Sequence, residues 1–215
     1  MHEQSVRISV WSDYVCPFCY LELPVLDALA GEMGERLALD WRAFELRPEP
    51  EPTLDPDGDY LHRVWNASVY PMAAARGLVL RLPPVQPRSR LALEAASFAR
   101  DAGRFDAMNR GLFRAFFEEG HDIGELPTLL DVGGAAGLDR DALAEALASG
   151  ARREEVAADR VHAQRLGITG VPALRIEGRG GAVLLSGAQP IEAVRAAVAR
   201  VLGDERADGR SDGTD

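Results

Sequence analysis

A chain of 215 residues that is 47% hydrophobic can bury a substantial core, as one domain or as a domain carrying a large insertion. Its formal net charge of −10 leaves no basic stripe to displace phosphate counterions and disfavours anionic lipid, which argues against nucleic acid and membrane as partners. All 24 basic side chains are arginine, which excludes a lysine base or Schiff base, and no apolar run approaches bilayer length.

The polar start Met1-His2-Glu3-Gln4-Ser5 has no signal-like apolar segment, so the cytoplasm is the expected compartment. Ser5 to Trp11 then alternates around Val6, Ile8 and Val10 and predicts a strand. Both cysteines follow its end, in Asp13-Tyr14-Val15-Cys16-Pro17-Phe18-Cys19-Tyr20. Leu21, Leu23, Val25, Leu26 and Leu29 predict a helix to about Met33, with Pro24 as a kink or late first-turn residue and Gly34 closing it. Leu37 to Leu46, with Leu37, Leu39, Trp41 and Ala43 on one face, predicts a second strand ended by Pro48, Pro50 and Pro52.

From Pro56 to Gly167 the pattern turns helical. Helices are predicted over Asp59 to Arg76, Arg88 to Ala102, Phe105 to Glu119, Asp139 to Ser149 and Arg152 to Leu166, with breaks at Pro83-Pro84 and Gly133-Gly134. No internal period is present, so this stretch reads as an insertion and not as a repeat. Ala173 to Glu177 and Ala182 to Ser186, joined by Gly178-Arg179-Gly180-Gly181, predict a hairpin, and Gln189 to Leu202 a terminal helix. The expected organisation is an α/β core formed by 1–55 and 168–203, a helical insertion at 56–167, and a disordered polar tail at 204–215.

A C-x-x-C at a strand-to-helix junction reads as a redox motif. If Cys16 opens the helix, unsatisfied backbone N–H groups and the helix dipole favour its thiolate, which makes it the candidate nucleophile. Pro17 suits the first turn, where its missing N–H costs nothing. Cys19, nearly one turn on, can reach the same sulfur from a more buried place and is the candidate resolving thiol. A structural disulfide would close too short a loop to constrain much of the unfolded chain. A zinc site would need ligands that His2, His62, His121 and His162 do not supply at paired spacing. Asp13, three before Cys16, either influences the thiol's proton or, as the favoured expectation, caps the turn into the helix; Phe18 is expected to be exposed beside the sulfurs, and Trp41 and Phe44 to pack in the core. The glycine-rich and G-x-S-x-G patterns of nucleotide sites and serine hydrolases do not occur.

Cys16-Pro17-Phe18-Cys19-Tyr20 preceded by Asp13, Phe44-Glu45-Leu46-Arg47-Pro48, Gly170-Val171-Pro172 and Ser186-Gly187-Ala188-Gln189-Pro190 together resemble the DsbA-like thioredoxin superfamily, in its FrnE-type branch. The resemblance runs to about Leu202 and implies a thioredoxin-like fold with a large all-helical insertion. It also implies a cis bond before Pro172, packed against Cys16, where Val171 can present its backbone to an extended substrate. The place where thioredoxin keeps a buried proton-accepting acid falls near Val10, which leaves water or a carboxylate such as Glu45 for that role.

The expectation is a dithiol–disulfide oxidoreductase or isomerase working through a mixed disulfide at Cys16. Cys16 and Cys19 are its catalytic pair, and Pro17, Phe18, Val171 and Pro172 its substrate contacts. No cofactor beyond the two thiols is expected. The partners are a disulfide-containing protein or small molecule and a thiol reductant or oxidant, with glutathione a possible co-substrate. Two alternatives stand beside it. One is a glutathione-dependent enzyme resembling kappa-class transferases and hydroxychromene-carboxylate isomerases, which usually place Ser where Cys16 stands. The other is a non-catalytic module that binds peptide or small molecules between the insertion and the core.

Overall fold

The computed structural model describes residues 5–203; the tail expected to be disordered, 204–215, lies outside the described residues. The first strand, β1 (Val6–Ser12), is the best-buried strand, with only Arg7 exposed. It sits inside a four-stranded sheet of order β2-β1-β3-β4. Strand β2 (Leu37–Ala43) runs parallel to it, and a parallel neighbour needs a crossover too long for a turn. Helix α1 (Pro17–Met33) is that crossover, ending at Gly34, whose φ of 57° a side chain would resist. The hairpin β3 (Ala173–Gly178) and β4 (Gly181–Ser186) pairs antiparallel with β1 through β3. Helix α9 (Ile191–Leu202) closes the described chain.

The second strand stops short of its predicted end at Leu46. Phe44 N–H still donates to Ser12 O at 3.0 Å, but Leu46 N–H donates to the Asp13 carboxylate at 2.7 Å, which draws the segment off the ladder.

Between β2 and β3 lie helices α2 (Asp59–Val64), α3 (Tyr70–Ala75), α4 (Arg90–Asp101), α5 (Phe105–Phe117), α6 (Leu126–Ala135), α7 (Arg140–Ser149) and α8 (Arg153–Arg165). A π-turn, Trp65–Val69, joins α2 to α3, so the single helix predicted from Asp59 is one rod with a wide turn in it. Pro71 has no N–H for Ala67 O, and the wide turn falls just ahead of that missing bond. The predicted break at Gly133-Gly134 is wrong, and α6, which was not expected, runs through both glycines. A Cβ on Gly133 would lie 2.5 Å from Leu143 Cδ2, so the glycine lets α6 and α7 approach closely.

The sheet has two differently packed faces. Val6, Ile8, Val10, Leu174 and Ile176 meet Val25, Leu26, Leu29 and Met33 of α1 and Val194, Val198 and Val201 of α9. One residue along the strand, Trp11 points the other way and packs with Phe44, Ala163, Ile168 and Ala173. The insertion has its own apolar cluster, which takes in Cys16, Cys19, Tyr20, Leu21 and Leu23. Helix α1 therefore divides its length, its first turns belonging to the insertion's core and its later turns to the sheet's.

Candidate active site

Cys16 occupies the N-cap position of α1 in an extended conformation, and Pro17 follows as the first helical residue. Its N–H donates to Asp13 O at 3.1 Å, closing the turn out of β1, and its O accepts from Cys19 N–H at 3.1 Å. Asp13 caps the turn into the helix through Val15 N–H, and no side chain caps α1 itself. Its buried carboxylate accepts from Val15 N–H at 3.4 Å and Leu46 N–H at 2.7 Å, pinning the cysteine turn to the segment after β2. Burial raises its pKa to about 6, against hydrogen bonds from Ser89, Leu46 and Val15 and with a push from Glu45.

Both cysteines are free thiols. Cys16 is 6% exposed and lines a groove of about 390 Å3, whereas Cys19 is 1% exposed and is not among the groove residues. Burial raises the Cys19 pKa well above the usual thiol range, and the Cys16 thiol adds to the rise, while the Asp13 N–H and the Ser12 hydroxyl oppose it. The Val171–Pro172 bond is cis, and the Cys16 thiol donates to Val171 O at 3.4 Å. Pro172 O accepts from Gly187 N–H at 2.8 Å, which ties that loop to the end of β4.

Of the expected substrate contacts, Pro17, Phe18 and Val171 line the groove, while Pro172 is buried and is not among the lining residues. Phe18 is half-buried and packs on the insertion's core, because the insertion covers the ring that was expected to be exposed. Phe44 is buried and Trp41 half-buried. Glu45 is held by Arg90, whose Nε donates at 2.7 Å, so that carboxylate is already engaged.

Several site residues were not singled out from sequence. Leu54, Leu61, Val64, Trp65 and Phe117 give the groove an apolar wall, with Arg47, Glu51 and Arg88 as its charged members. The Arg76 guanidinium donates to Leu21 O, to Gln189 O at 2.6 Å and to Glu22 at 3.3 Å, while Gln189 N–H donates to Glu22 at 2.9 Å. That knot fastens the insertion to α1 and to the Ser186–Pro190 motif. An arginine followed by glycine at the end of a helical pattern was the available signal, and it does not name a partner.

A free thiol at a helix N-terminus, touching the carbonyl before a cis-proline, with a second thiol one turn behind, is a thioredoxin-type arrangement. The family model of the DSBA-like thioredoxin domain matches residues 7–199. The chain belongs to that family. It is 36% identical over 146 residues to the uncharacterised protein YwbO of Bacillus subtilis, a match covering 66% of this chain and 72% of the relative. Among solved structures it resembles the probable DsbA oxidoreductase SCO1869 from Streptomyces coelicolor, with a TM-score of 0.75, 27% identity and coverage of 95% of this chain and 93% of that one. A 2-hydroxychromene-2-carboxylate isomerase shares the fold at a TM-score of 0.75 and 20% identity, over 92% of this chain and 97% of that one. One fold thus carries proteins named as an oxidoreductase and as an isomerase, and the residues at the thiol position have to discriminate between such chemistries.

Proposed function

We propose that the protein is a dithiol–disulfide oxidoreductase or isomerase acting through a mixed disulfide at Cys16. The observation that carries the reading is the asymmetry of the two thiols, Cys16 on the groove and Cys19 shielded behind it. The Cys16 thiolate attacks one sulfur of a substrate disulfide, forming a mixed disulfide and releasing the other sulfur as thiolate. Cys19, once deprotonated, attacks Cys16 and releases the second substrate sulfur, leaving Cys16–Cys19 oxidised by two electrons. Run backwards, the same steps oxidise a substrate dithiol. Isomerisation needs only the first step and its reversal at another sulfur. In the cytoplasm a thiol such as glutathione would return the pair to its reduced form.

The groove supports a substrate with an apolar segment beside its disulfide, because Phe18, Leu61, Val64 and Trp65 border Cys16. Val171 offers backbone groups to an extended chain there. A cysteine at position 16, where the glutathione-dependent relatives usually place serine, favours disulfide exchange over glutathione transfer.

The test is the reduction of a protein disulfide by dithiothreitol. Wild type should accelerate it and Cys16→Ser should abolish the acceleration, while Cys19→Ser should trap mixed disulfides that Cys16→Ser cannot form. Saturable glutathione binding, with activity retained in Cys16→Ser and no disulfide exchange in wild type, would instead establish the glutathione-dependent reading.

A further inference from the structure

The groove that Cys16 lines holds three charged residues, and their charges do not cancel. Glu51 faces Arg160 at 3.8 Å and Arg88 faces Glu49 at 3.7 Å, each partner lying outside the groove lining. Arg47 has no carboxylate partner among the described residues. It is half-buried, and its one side-chain hydrogen bond runs from Nη1 to Pro52 O at 3.4 Å, which leaves most of its planar fork of donors unused. The chain around it carries a net charge of −10, yet none of those carboxylates is spent on this guanidinium.

Hydrogen bonds tie Arg47 to the cysteine turn. Cys16 N–H donates to Asp13 O at 3.1 Å, the Asp13 carboxylate accepts from Leu46 N–H at 2.7 Å, and Arg47 follows Leu46 directly. Arg88 Nη1 then donates to Arg47 O at 3.0 Å, which brings a second guanidinium to the same groove. Thr53, Tyr60 and Gln86 line it as well, and none of their side chains is hydrogen-bonded to a described residue, so they add free donors beside the arginines. Phe18, Leu61 and Trp65 supply hydrocarbon within the same 390 Å3. A pocket of mainly apolar walls with a few convergent polar groups selects a ligand by where its own polar groups stand.

We propose that Arg47 is a specificity-determining residue that binds a carboxylate carried beside the substrate disulfide, so that the preferred substrate pairs an anionic group with a bulky apolar one. The inference rests on the dithiol reading above. A guanidinium meets a carboxylate through two parallel N–H donors, which fixes orientation as well as affinity. The Cys16 thiolate attacks the sulfur on the half that Arg47 holds. The substrate S–S bond breaks, a new S–S bond joins that half to Cys16, and the other half leaves as thiolate with the bonding electron pair. A small organic acid and an acidic residue beside a peptide cysteine present the same carboxylate, and the experiment separates the two sources.

Two pairs of disulfides test this. Dithiobis(nitrobenzoate) is a carboxylated aromatic disulfide and dithiodipyridine a neutral one, while the disulfide-linked dimers of the end-blocked peptides Leu-Cys-Glu and Leu-Cys-Gln differ only in the carboxylate. Stopped-flow kinetics of the reduced protein give the rate of the first attack by Cys16 on each, and the ratio of anionic to neutral rate within a pair cancels any change in thiol reactivity. Arg47→Ala should lower that ratio about fivefold or more in at least one pair, and Arg47→Lys should restore part of it. A loss confined to the peptides identifies an acidic peptide as the source, a loss confined to the aromatic pair a small acid, and a loss in both a site that reads the carboxylate alone. Ratios equal to wild type in both pairs would overturn the proposal and leave the dithiol reading standing. If Arg47→Ala does not fold, Arg47→Gln, which keeps a polar stem without the charge, is read in the same way. A wild-type protein that releases the first thiolate but shows no second, resolving step by Cys19 removes the dithiol reading itself.

Discussion

On one face of the sheet, Ile8, Val10, Leu26, Leu29, Leu174, Ile176 and Val198 pack hydrocarbon against hydrocarbon. Along the seam where the insertion meets the sheet and the start of α1, buried carboxylates gather instead. Asp13, Glu22, Glu45 and Asp159 are all buried there. Glu22 faces Arg76, Glu45 faces Arg90 and Asp159 faces Arg42, while Asp13 is satisfied by backbone N–H groups. The first region is held by area, which is non-directional and indifferent to pH. The second is held by a few directional contacts that set where the cysteine turn, the segment after β2 and the Gln189 loop stand. A site that must hold two sulfurs in register needs that direction, and it accepts in return the desolvation of charge.

The comparison is broken most forcefully from the apolar side. Leu29→Ala should cost about 2–5 kcal/mol in denaturant unfolding, and equally at pH 5 and pH 8, because it removes packed methyl groups and touches no titrating contact. A cost that changed with pH would show that the sheet core is coupled to the seam.

Arg76→Ala should cost about 3 kcal/mol at pH 8, where it leaves the buried Glu22 carboxylate without its cation, and less at pH 5. Burial raises the Glu22 pKa to about 7 from an ordinary value of 4.5, against the Gln189 N–H and Arg76. The folded state thus binds a proton that the unfolded chain has already lost, and stability falls as pH rises from about 4.5 to about 7. Glu22→Gln should flatten the slope of unfolding midpoint against pH in that window. Parallel curves for Glu22→Gln and wild type would show that Glu22 does not carry it.

The smallest effect is a control within the insertion. Gly133→Ala should cost about 1 kcal/mol or slightly more, independent of pH, since the new Cβ meets the flexible end of Leu143 at 2.5 Å and that side chain can give way. An unchanged thermal midpoint would mean that α6 and α7 have slack at their contact.

By itself the sequence determined whatever contiguous residues encode. Alternation around Val6, Ile8 and Val10, the C-x-x-C at a strand-to-helix junction, Gly34 as a helix stop and the glycine-flanked hairpin are local patterns, and local backbone preference is sufficient to read them. The same locality explains what it missed. Gly133-Gly134 looks like a break until Leu143 is known to press on it, and Asp13 looks like a turn cap alone until Leu46 is known to lie within reach. Only the tertiary structure decided that Val171 O accepts from the Cys16 thiol and that Arg76 gathers three segments around Glu22. Each of these joins residues far apart in the chain. Their distances follow from how the helical insertion settles on the sheet, which no single stretch of the chain specifies.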